Sequence, residues 1–145
     1  MILPYFAYPI IAFSLAQGTK VFLKTFRRKK LQWRDIFAYS DMPSGHTATV
    51  VSITSIIALK LGLGSPEFAL SLVFMMIVIT DAIGLRNYLG QHGKTLNILV
   101  KDLKDDDFLD DHYPKQLERI GHTPLQVLIG ALIGLSVSII GFLLF

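Results

Sequence analysis

The segment 41–49 contains the residue types of a site that binds an anion and transfers a proton. It reads Asp-Met-Pro-Ser-Gly-His-Thr-Ala-Thr and leads into an uncharged, mostly apolar run. Because Pro43 and Gly45 interrupt regular structure, Ser44 or Gly45 is expected to cap a helix that starts here. Free backbone N–H groups and the positive end of the helix dipole would then lie beside the imidazole of His46, where a phosphate is stabilised. A turn that only caps a helix would carry the same Pro-Ser-Gly pattern.

A second histidine and several cations could complete a phosphoryl-transfer site. Such a site, when it uses no metal, needs cations on the phosphate oxygens, a nucleophile, and an acid that protonates the leaving oxygen. His46 and His122 each stand at the start of an apolar run and could fill the last two roles. A histidine at a helix start is also a common capping or interfacial residue, so this placement alone does not decide. The candidate cations are Lys20, Arg27 and Arg86.

Asp81 is a further candidate because of where it lies in the chain. It is the one charged residue of the run 68–85. A carboxylate deep in an apolar segment is costly and usually faces a protein interior or a polar cavity, which makes it a functional candidate. The alternative is structural, with Asp81 paired to a basic side chain that holds two helices together.

Hydropathy indicates which elements position these residues. The chain has 145 residues, 52% of them hydrophobic, and its mean hydropathy is +0.51, which is too apolar for a small soluble domain. Several runs are long enough, or nearly so, to cross a hydrocarbon core about 30 Å thick. We expect an all-α integral membrane protein, a single domain over residues 1–145 that forms a bundle of about four transmembrane helices. The predicted spans are 1–19, 47–65, 68–85 and 123–145.

The distribution of charge predicts the topology. Four spans place the long polar loops 18–45 and 87–121 on one side and the turn 62–66 on the other. Thirteen of the fourteen Lys and Arg residues fall on the side of the two loops, with Lys60 as the exception. By the positive-inside rule these loops face the cytoplasm. The candidate site is therefore expected at the cytoplasmic face of the cell membrane, and the basic residues are explained by lipid headgroups without a nucleic-acid partner.

Two other patterns leave alternatives open. Six aspartates between positions 102 and 111 could supply oxygen ligands to a hard cation, but they lack calcium-loop spacing and suit a solvated acidic loop better. No metal or other cofactor is predicted, and the absence of cysteine removes thiol ligands. Gly130 and Gly134 would let another helix approach closely, either within the chain or in a homodimer.

Taken in chain order, the candidate residues resemble the motifs of the type-2 phosphatidic acid phosphatase and vanadium haloperoxidase superfamily. The first motif, a Lys with an Arg seven residues on, matches Lys20 and Arg27, although Lys24 competes as the motif lysine. The second motif, Pro-Ser-Gly-His, is intact at 43–46. The third motif, a His followed by a helix, matches His122 and the segment after it. The match covers the chain from about Gln17 to Gly134.

The third motif departs from the usual pattern in two ways. Gln126 stands where the superfamily has Asp, and the Arg that normally lies close to the His is displaced to Arg86, 36 residues before His122. The segments Met-Pro-Ser-x-His, Asp-Ala-x-Gly-x-Arg and Gly-His-Thr-Pro-x-Gln-Val-x-x-Gly are similar to the divergent membrane branch of this superfamily.

This resemblance implies a phosphohistidine mechanism. His122 would attack phosphorus, and His46 would protonate the departing oxygen and later help water to attack. Gln126, four residues after His122, shares its face and could accept a hydrogen bond from the imidazole. Asp81 is hypothesised to replace the missing acid by reaching His122 or Arg86. Because Asp81 and Arg86 are five residues apart and point about 140° from each other on a helix, they need not pair directly. The phosphate oxygens would be held by Lys20, Arg27, Ser44, Gly45 and Arg86.

The expected function is that of a membrane lipid phosphatase. Its substrate would be a lipid phosphate monoester, such as phosphatidylglycerophosphate or a phosphatidate, or a polyprenyl pyrophosphate. A cytoplasmic site favours a phospholipid made on that side. The alternative is a catalytically inactive lipid-binding or assembly protein that retains the anion-binding scaffold. Vanadate-dependent halide oxidation is disfavoured in so small a membrane chain.

Overall fold

The computed structural model describes residues 2–28, 41–102, 115–118 and 120–144, with the side chains of 27 and 28 outside that description. The regular structure in this part consists of helices alone, as expected for an all-α protein. The five helices are α1 (Leu3–Arg28), α2 (Gly45–Leu61), α3 (Pro66–Ile83), α4 (Leu85–Asp102) and α5 (Pro124–Leu144).

Three helical segments are long and apolar enough to cross a membrane, by length and composition. They are Leu3–Phe26, Pro66–Asp102 and Pro124–Leu144. The fourth apolar helix, α2, is shorter at 17 residues. The prediction of a membrane protein with a bundle of about four apolar helices is therefore confirmed.

The helix starts follow from local capping chemistry. Ser44 caps α2 as predicted, and its hydroxyl oxygen accepts a hydrogen bond from the Thr47 N–H at 3.3 Å. Helix α5 begins with a capping box, in which Thr123 Oγ1 accepts from the Gln126 N–H and Gln126 Oε1 accepts from the Thr123 N–H. Both helix starts are thus fixed by side chains next to the two candidate histidines.

Helices α2 and α5 form the centre of the bundle, and they run parallel. A Cβ on Gly130 would clash with the Ser44 carbonyl oxygen, and one on Gly134 would clash with the Ala48 carbonyl oxygen. Further along, the hydroxyls of Ser52 and Ser138 lie 2.9 Å apart. The small-residue face of α5 therefore packs inside the chain. It no longer argues for a homodimer, which stays a prediction.

Helices α1 and α3 pack against this pair in the opposite direction. The Tyr8 hydroxyl donates to the Gly141 carbonyl at 2.8 Å, near the end of α5. On the other side of α2, Thr54 Oγ1 donates to the Ser71 carbonyl of α3 at 3.2 Å. Small side chains fill the core between α1 and α2, where Ala12, Ala16 and Ala48 are fully buried. Interhelical hydrogen bonds of this kind each contribute about 0.6 kcal/mol in membrane proteins.

The prediction of a polar loop from 87 was wrong for its first half, because α4 occupies Leu85–Asp102. Its apolar side chains recur at helical spacing, and the large exposed ones are Leu85, Tyr88, Leu89, Leu96, Ile98 and Leu99. Gly90 and Gly93 are buried where the backbone of 117–118 crosses the helix. This amphipathic pattern was present in the sequence. Of the acidic stretch 102–111, residues 103–111 lie outside the described residues.

We expect Gly134→Ala to destabilise the protein, because the added methyl would meet the Ala48 carbonyl and push α5 away from α2. Overpacking at such a contact costs on the order of 1–3 kcal/mol. The measurement is unfolding in detergent micelles, followed by circular dichroism. Gly18→Ala is the matched control, since nothing lies within 4 Å of a Cβ at this helical position. Equal stability of the two variants would contradict the proposed close approach.

Candidate active site

His122 is held by the junction between α3 and α4. Its backbone N–H donates to the Ala82 carbonyl at 3.0 Å, and its own carbonyl accepts from Asn87 Nδ2 at 3.2 Å. The same Asn87 amide group donates to the Ile83 carbonyl at 2.6 Å. A Cβ on Gly121 would clash with the Asn87 side chain. The residue before the histidine therefore has to be small, and the histidine's backbone is fixed from both sides.

Asp81 and Arg86 form an ion pair at this junction. Arg86 Nε lies 2.6 Å from Asp81 Oδ2, and both side chains are partly exposed. The expectation that these residues need not pair assumed one uninterrupted helix. Instead α3 ends at Ile83 and α4 begins at Leu85, so Gly84 turns Arg86 back towards Asp81. Of the two partners considered for Asp81, the structure shows Arg86.

The imidazole of His122 is buried, with 1% of the residue exposed. Within the described residues, neither of its ring nitrogens has a hydrogen-bond partner. The expectation that Gln126 accepts a hydrogen bond from this ring was therefore wrong, because the Gln126 amide oxygen accepts the Thr123 N–H of the capping box. The alternative that Asp81 reaches the His122 ring was also wrong, because neither ring nitrogen contacts a hydrogen-bond partner in the described residues. The ring remains able to bond a ligand.

The residues just before His46 form the N-terminal cap and first position of α2. Ser44 is fully buried, and its hydroxyl oxygen accepts from Thr47 Oγ1 at 2.9 Å as well as from the Thr47 N–H. Gly45 lies so close to α1 that a Cβ would be 3.2 Å from the Phe13 ring. The first N–H groups of α2 have no carbonyl partner within the helix, so they point towards the space at its N-terminus. His46 itself is exposed in the first turn.

Lys20 and Lys24 differ in their surroundings. Lys20 is buried, with 4% of the residue exposed, whereas Lys24 Nζ lies 2.5 Å from Asp41 Oδ2. Both lysines line a polar cavity of about 310 Å³ between α1 and the start of α5. The side chain of Arg27 lies outside the described residues. The cavity is lined by Lys20, Leu23, Lys24, Asp41, Met42, Thr123, Leu125 and Gln126.

The electrostatic surroundings of His122 show that the candidate side chains converge. Burial is the largest cause that lowers the pKa of His122, to about 4. The positive charges of Lys20, His46 and Arg86 lower this pKa further, in that order of size. Asp41 acts in the opposite direction on the same pKa. The imidazole is consequently neutral at physiological pH, which is the form that can act as a nucleophile.

The sequence did not single out Asn87, although it ties the carbonyl of His122 to the end of α3. No spacing rule marks it, because its partner is 35 residues away. Within the described residues, no group of three or more His, Cys, Asp or Glu side chains could hold a metal ion.

Comparison with known proteins identifies the family. The model of the divergent PAP2 family matches residues 3–137. The chain belongs to this family. The resemblance inferred from the three motifs is therefore confirmed at the level of the divergent PAP2 branch. In this chain Gln126 stands in place of the usual PAP2 Asp, and Arg86 is displaced along the chain.

One relative of this divergent PAP2 protein is an uncharacterized membrane protein, YuiD, of Bacillus subtilis (strain 168). The two sequences are 31% identical over 142 residues, covering 90% of this chain and 89% of the relative. No solved structure matches the chain. Membrane localisation is thus supported by the relative as well as by the apolar helices.

We expect His122 of this PAP2 family member to remain neutral until the pH approaches 4. An unfolded chain binds a proton at this residue near pH 6.5, so the folded state loses stability as the pH falls from about 6.5 to 4. Histidine NMR resonances in detergent, titrated from pH 8 downward, would show the His122 imidazole titrating last. His122→Asn should remove that resonance and lessen the loss of stability. Titration of every imidazole near pH 6.5 would contradict this prediction.

Proposed function

We propose that this protein is a membrane lipid phosphatase that hydrolyses a lipid phosphate monoester or a polyprenyl pyrophosphate through a phosphohistidine intermediate. The observation that carries the proposal is the buried His122 ring, whose two nitrogens have no partner within the described residues. The charges that act on it most strongly are those of Lys20, His46 and Arg86. A buried neutral imidazole surrounded by cations suits a nucleophile that attacks an anionic phosphate.

In the proposed first step, a ring nitrogen of His122 forms a bond to phosphorus while the bond from phosphorus to the leaving oxygen breaks. His46 gives its proton to that oxygen, so the lipid alcohol, or the lipid phosphate in the case of a pyrophosphate, leaves with that proton on its oxygen. In the second step water attacks the phosphohistidine, and His46 takes a proton from the water. Inorganic phosphate is released and both histidines return to their initial states.

The anionic oxygens of the phosphate would be held by cations and backbone donors. Arg86 is suited to this because its guanidinium can present two N–H groups to two oxygens at once, and Asp81 fixes its orientation. Lys20 supplies a compact charge, and the first turn of α2 supplies the Gly45 N–H and the positive end of its dipole. Arg27 and the Ser44 hydroxyl are proposed to take part as in the related family.

Asp81 contacts one of the two partners predicted for it. It contacts Arg86 and not the His122 ring. We therefore propose that it is a positioning residue for the phosphate-binding arginine, and that this divergent site works without an acid behind its nucleophile.

One observation favours the alternative of an inactive lipid-binding or assembly protein. Where related sites have an Asp, Gln126 closes the helix cap, and His122 has no residue to orient its ring within the described part of the chain. An anion could still bind there without being transferred. The activity measurements below separate the two functions.

The side of the membrane is also a proposal. The turn at 62–65 joins the far ends of α2 and α3, away from the two histidines. In the topology predicted from the sequence, thirteen of the fourteen Lys and Arg residues fall on the side of the histidines, and this bias supports a cytoplasmic active site.

We expect the loss of rate to depend on the leaving group when His46 is replaced, but not when His122 is replaced. Detergent-purified His122→Ala should release no phosphate from any substrate, because it lacks the nucleophile. His46→Ala should lose about 10²–10⁴-fold of the rate with an alkyl phosphate, the usual contribution of a general acid. It should lose much less with an aryl phosphate, whose leaving oxygen needs no proton.

His92→Ala is the matched control, since His92 is exposed on α4 and has no assigned role. Activity should also persist in EDTA if no metal takes part. Phosphate release by His122→Ala at the wild-type rate, or no release by the wild type from a panel of lipid phosphates, would favour the inactive binding protein.

The absence of native cysteine allows a direct topology test. A single cysteine at Gly64, where a side chain would meet nothing within 4 Å, should react with an impermeant maleimide added outside intact cells. A cysteine at the exposed Lys115 should react only after permeabilisation. The reverse labelling pattern would place the site on the outer face.

A further inference from the structure

Helix α4 carries a stripe of apolar side chains that the described part of the chain leaves uncovered. The apolar stripe consists of five large side chains, each between 51% and 66% exposed, namely Leu85, Tyr88, Leu89, Leu96 and Leu99. At about 3.6 residues per turn these five lie within an arc of about 100° around the helix. His92 is the polar residue in the same arc, and Ile98 lies outside it. A contiguous exposed apolar surface of this kind marks a contact with a membrane or with another protein.

A different side of α4 is already occupied by the chain itself. The backbone of 117–118 lies against Gly90 and Gly93, where an added Cβ on either glycine would clash with it. Asn97 extends this contact, since its side-chain amide donates to the Gln116 carbonyl at 3.0 Å and accepts from the Gln116 N–H at 2.8 Å. The returning chain therefore holds α4 along one side and leaves the apolar stripe open on another.

The distance along the chain puts α4 at the edge of the hydrocarbon core. The segment Pro66–Asp102 has 37 residues, whereas about 20 residues are enough to cross the core. Helix α3 contributes 18 of these residues, which correspond to about 27 Å along its axis. The ion pair of Asp81 and Arg86 lies at the end of that distance. Helix α4 therefore begins where the core ends.

The helical hydrogen bonds are interrupted at this boundary. The Ala82 carbonyl accepts from the His122 N–H, and the Ile83 carbonyl accepts from Asn87 Nδ2, so side chains and a distant backbone group replace the next helical turn. Groups inserted into the hydrogen-bond ladder in this way bend a helix. Among the described helices, α4 packs mainly against α3. A helix that bends at the edge of the core and has few other helical neighbours is able to lie along the membrane surface.

The composition of α4 suits the headgroup region of a bilayer. Lys94 and Lys101 are exposed and lie on the side of the helix opposite the apolar stripe, and its single acidic residue is Asp102. Helices that lie in the membrane interface combine an apolar face with a polar face rich in Lys or Arg, which anionic headgroups attract. The stripe also starts two residues after α3, whose exposed apolar side chains already face lipid. Charge and continuity with the lipid-facing surface therefore favour lipid over a protein partner.

We propose that α4 is an interfacial helix, whose apolar stripe inserts into the bilayer surface on the side of the two histidines and whose lysines attract anionic lipid headgroups. The stripe is then buried about 5–10 Å into the boundary between headgroups and acyl chains. Helix α4 has lipid on one side and the segment 115–118, which precedes His122, on another. The helix thereby holds that segment at the membrane surface.

Spin labels on single cysteines test the proposal in the full chain, which has no native cysteine. Leu89→Cys and Leu96→Cys place labels in the apolar stripe, and Gln91→Cys and Lys94→Cys place them on the polar side of the same helix. The labelled proteins are compared in bilayer nanodiscs of phosphatidylcholine mixed with phosphatidylglycerol. We expect oxygen, which concentrates in lipid, to relax the stripe labels, and a water-soluble nickel chelate to relax the polar-side labels.

Two further variants test the stripe and the lysines separately. Leu96→Glu puts a charge into the stripe and should expose a label at Leu99→Cys to the nickel chelate. Gln91→Glu is the matched control, since it adds the same charge at an exposed position outside the stripe, and it should leave that label in lipid.

Nanodiscs of phosphatidylcholine alone should hold the stripe labels less deeply than the anionic mixture does. Replacing both Lys94 and Lys101 by Gln should remove this dependence on lipid charge, because these two cations lie exposed on α4. Lys60→Gln, in the last turn of α2 and away from α4, is the control and should preserve the dependence.

Equal access of the nickel chelate to all four labels would overturn the proposal, because α4 would then lie in water. Stripe labels shielded from both oxygen and the chelate, with dipolar coupling between labels, would overturn it as well, since a second copy of the chain would then cover the stripe. Equal depth in the two lipid compositions would reject the role given to the lysines. None of these measurements uses phosphate release, so their outcome is independent of the proposed phosphatase activity.

Discussion

The close approach of α2 and α5 determines where the chemistry can occur. The contacts Gly130 to Ser44 and Gly134 to Ala48 keep one constant offset in sequence, as do the paired hydroxyls of Ser52 and Ser138. A constant offset means that the two helices run in the same direction and start at the same level. His46 follows one of these starts and His122 precedes the other, so the packing of small residues brings the two imidazoles to one end of the bundle. A larger residue in place of either glycine would separate the helix starts and the histidines with them.

The break between α3 and α4 is the second determinant of the site. A helix continuing through Gly84 would carry Arg86 to a different side from Asp81, at about 140° around the axis for a separation of five residues. Because the helix is interrupted, Arg86 pairs with the Asp81 carboxylate, and the carbonyl of Ala82 accepts a hydrogen bond from the N–H of His122. Asn87 completes the connection. This short stretch thus presents the Arg86 guanidinium and fixes the backbone of His122 at the same time.

The sequence predicted the elements and their ends better than the contacts between them. Uncharged runs and the Pro-Ser-Gly turn sufficed for the apolar helices and the Ser44 cap, because both are local properties of the chain. The Asp81–Arg86 pair was only one of two alternatives, because helical geometry was applied across a break that only tertiary packing reveals. The spacing of Gln126 from His122 suggested a hydrogen bond to the imidazole, but the Gln126 amide oxygen accepts the N–H of Thr123 instead. Helix α4 was missed although its apolar spacing was readable, since its polar composition suggested a loop.

The parallel arrangement of α2 and α5 has a consequence for the energetics of the bundle. Each helix start carries the equivalent of roughly half a positive charge, and like charges at neighbouring starts repel each other. Buried Lys20 adds to that repulsion. The assembled bundle therefore holds an unfavourable positive potential at one end, which an anion at that end relieves. If an anion binds at that end, folding of the bundle and binding of the anion are linked equilibria, and the anion stabilises the fold as a counterion.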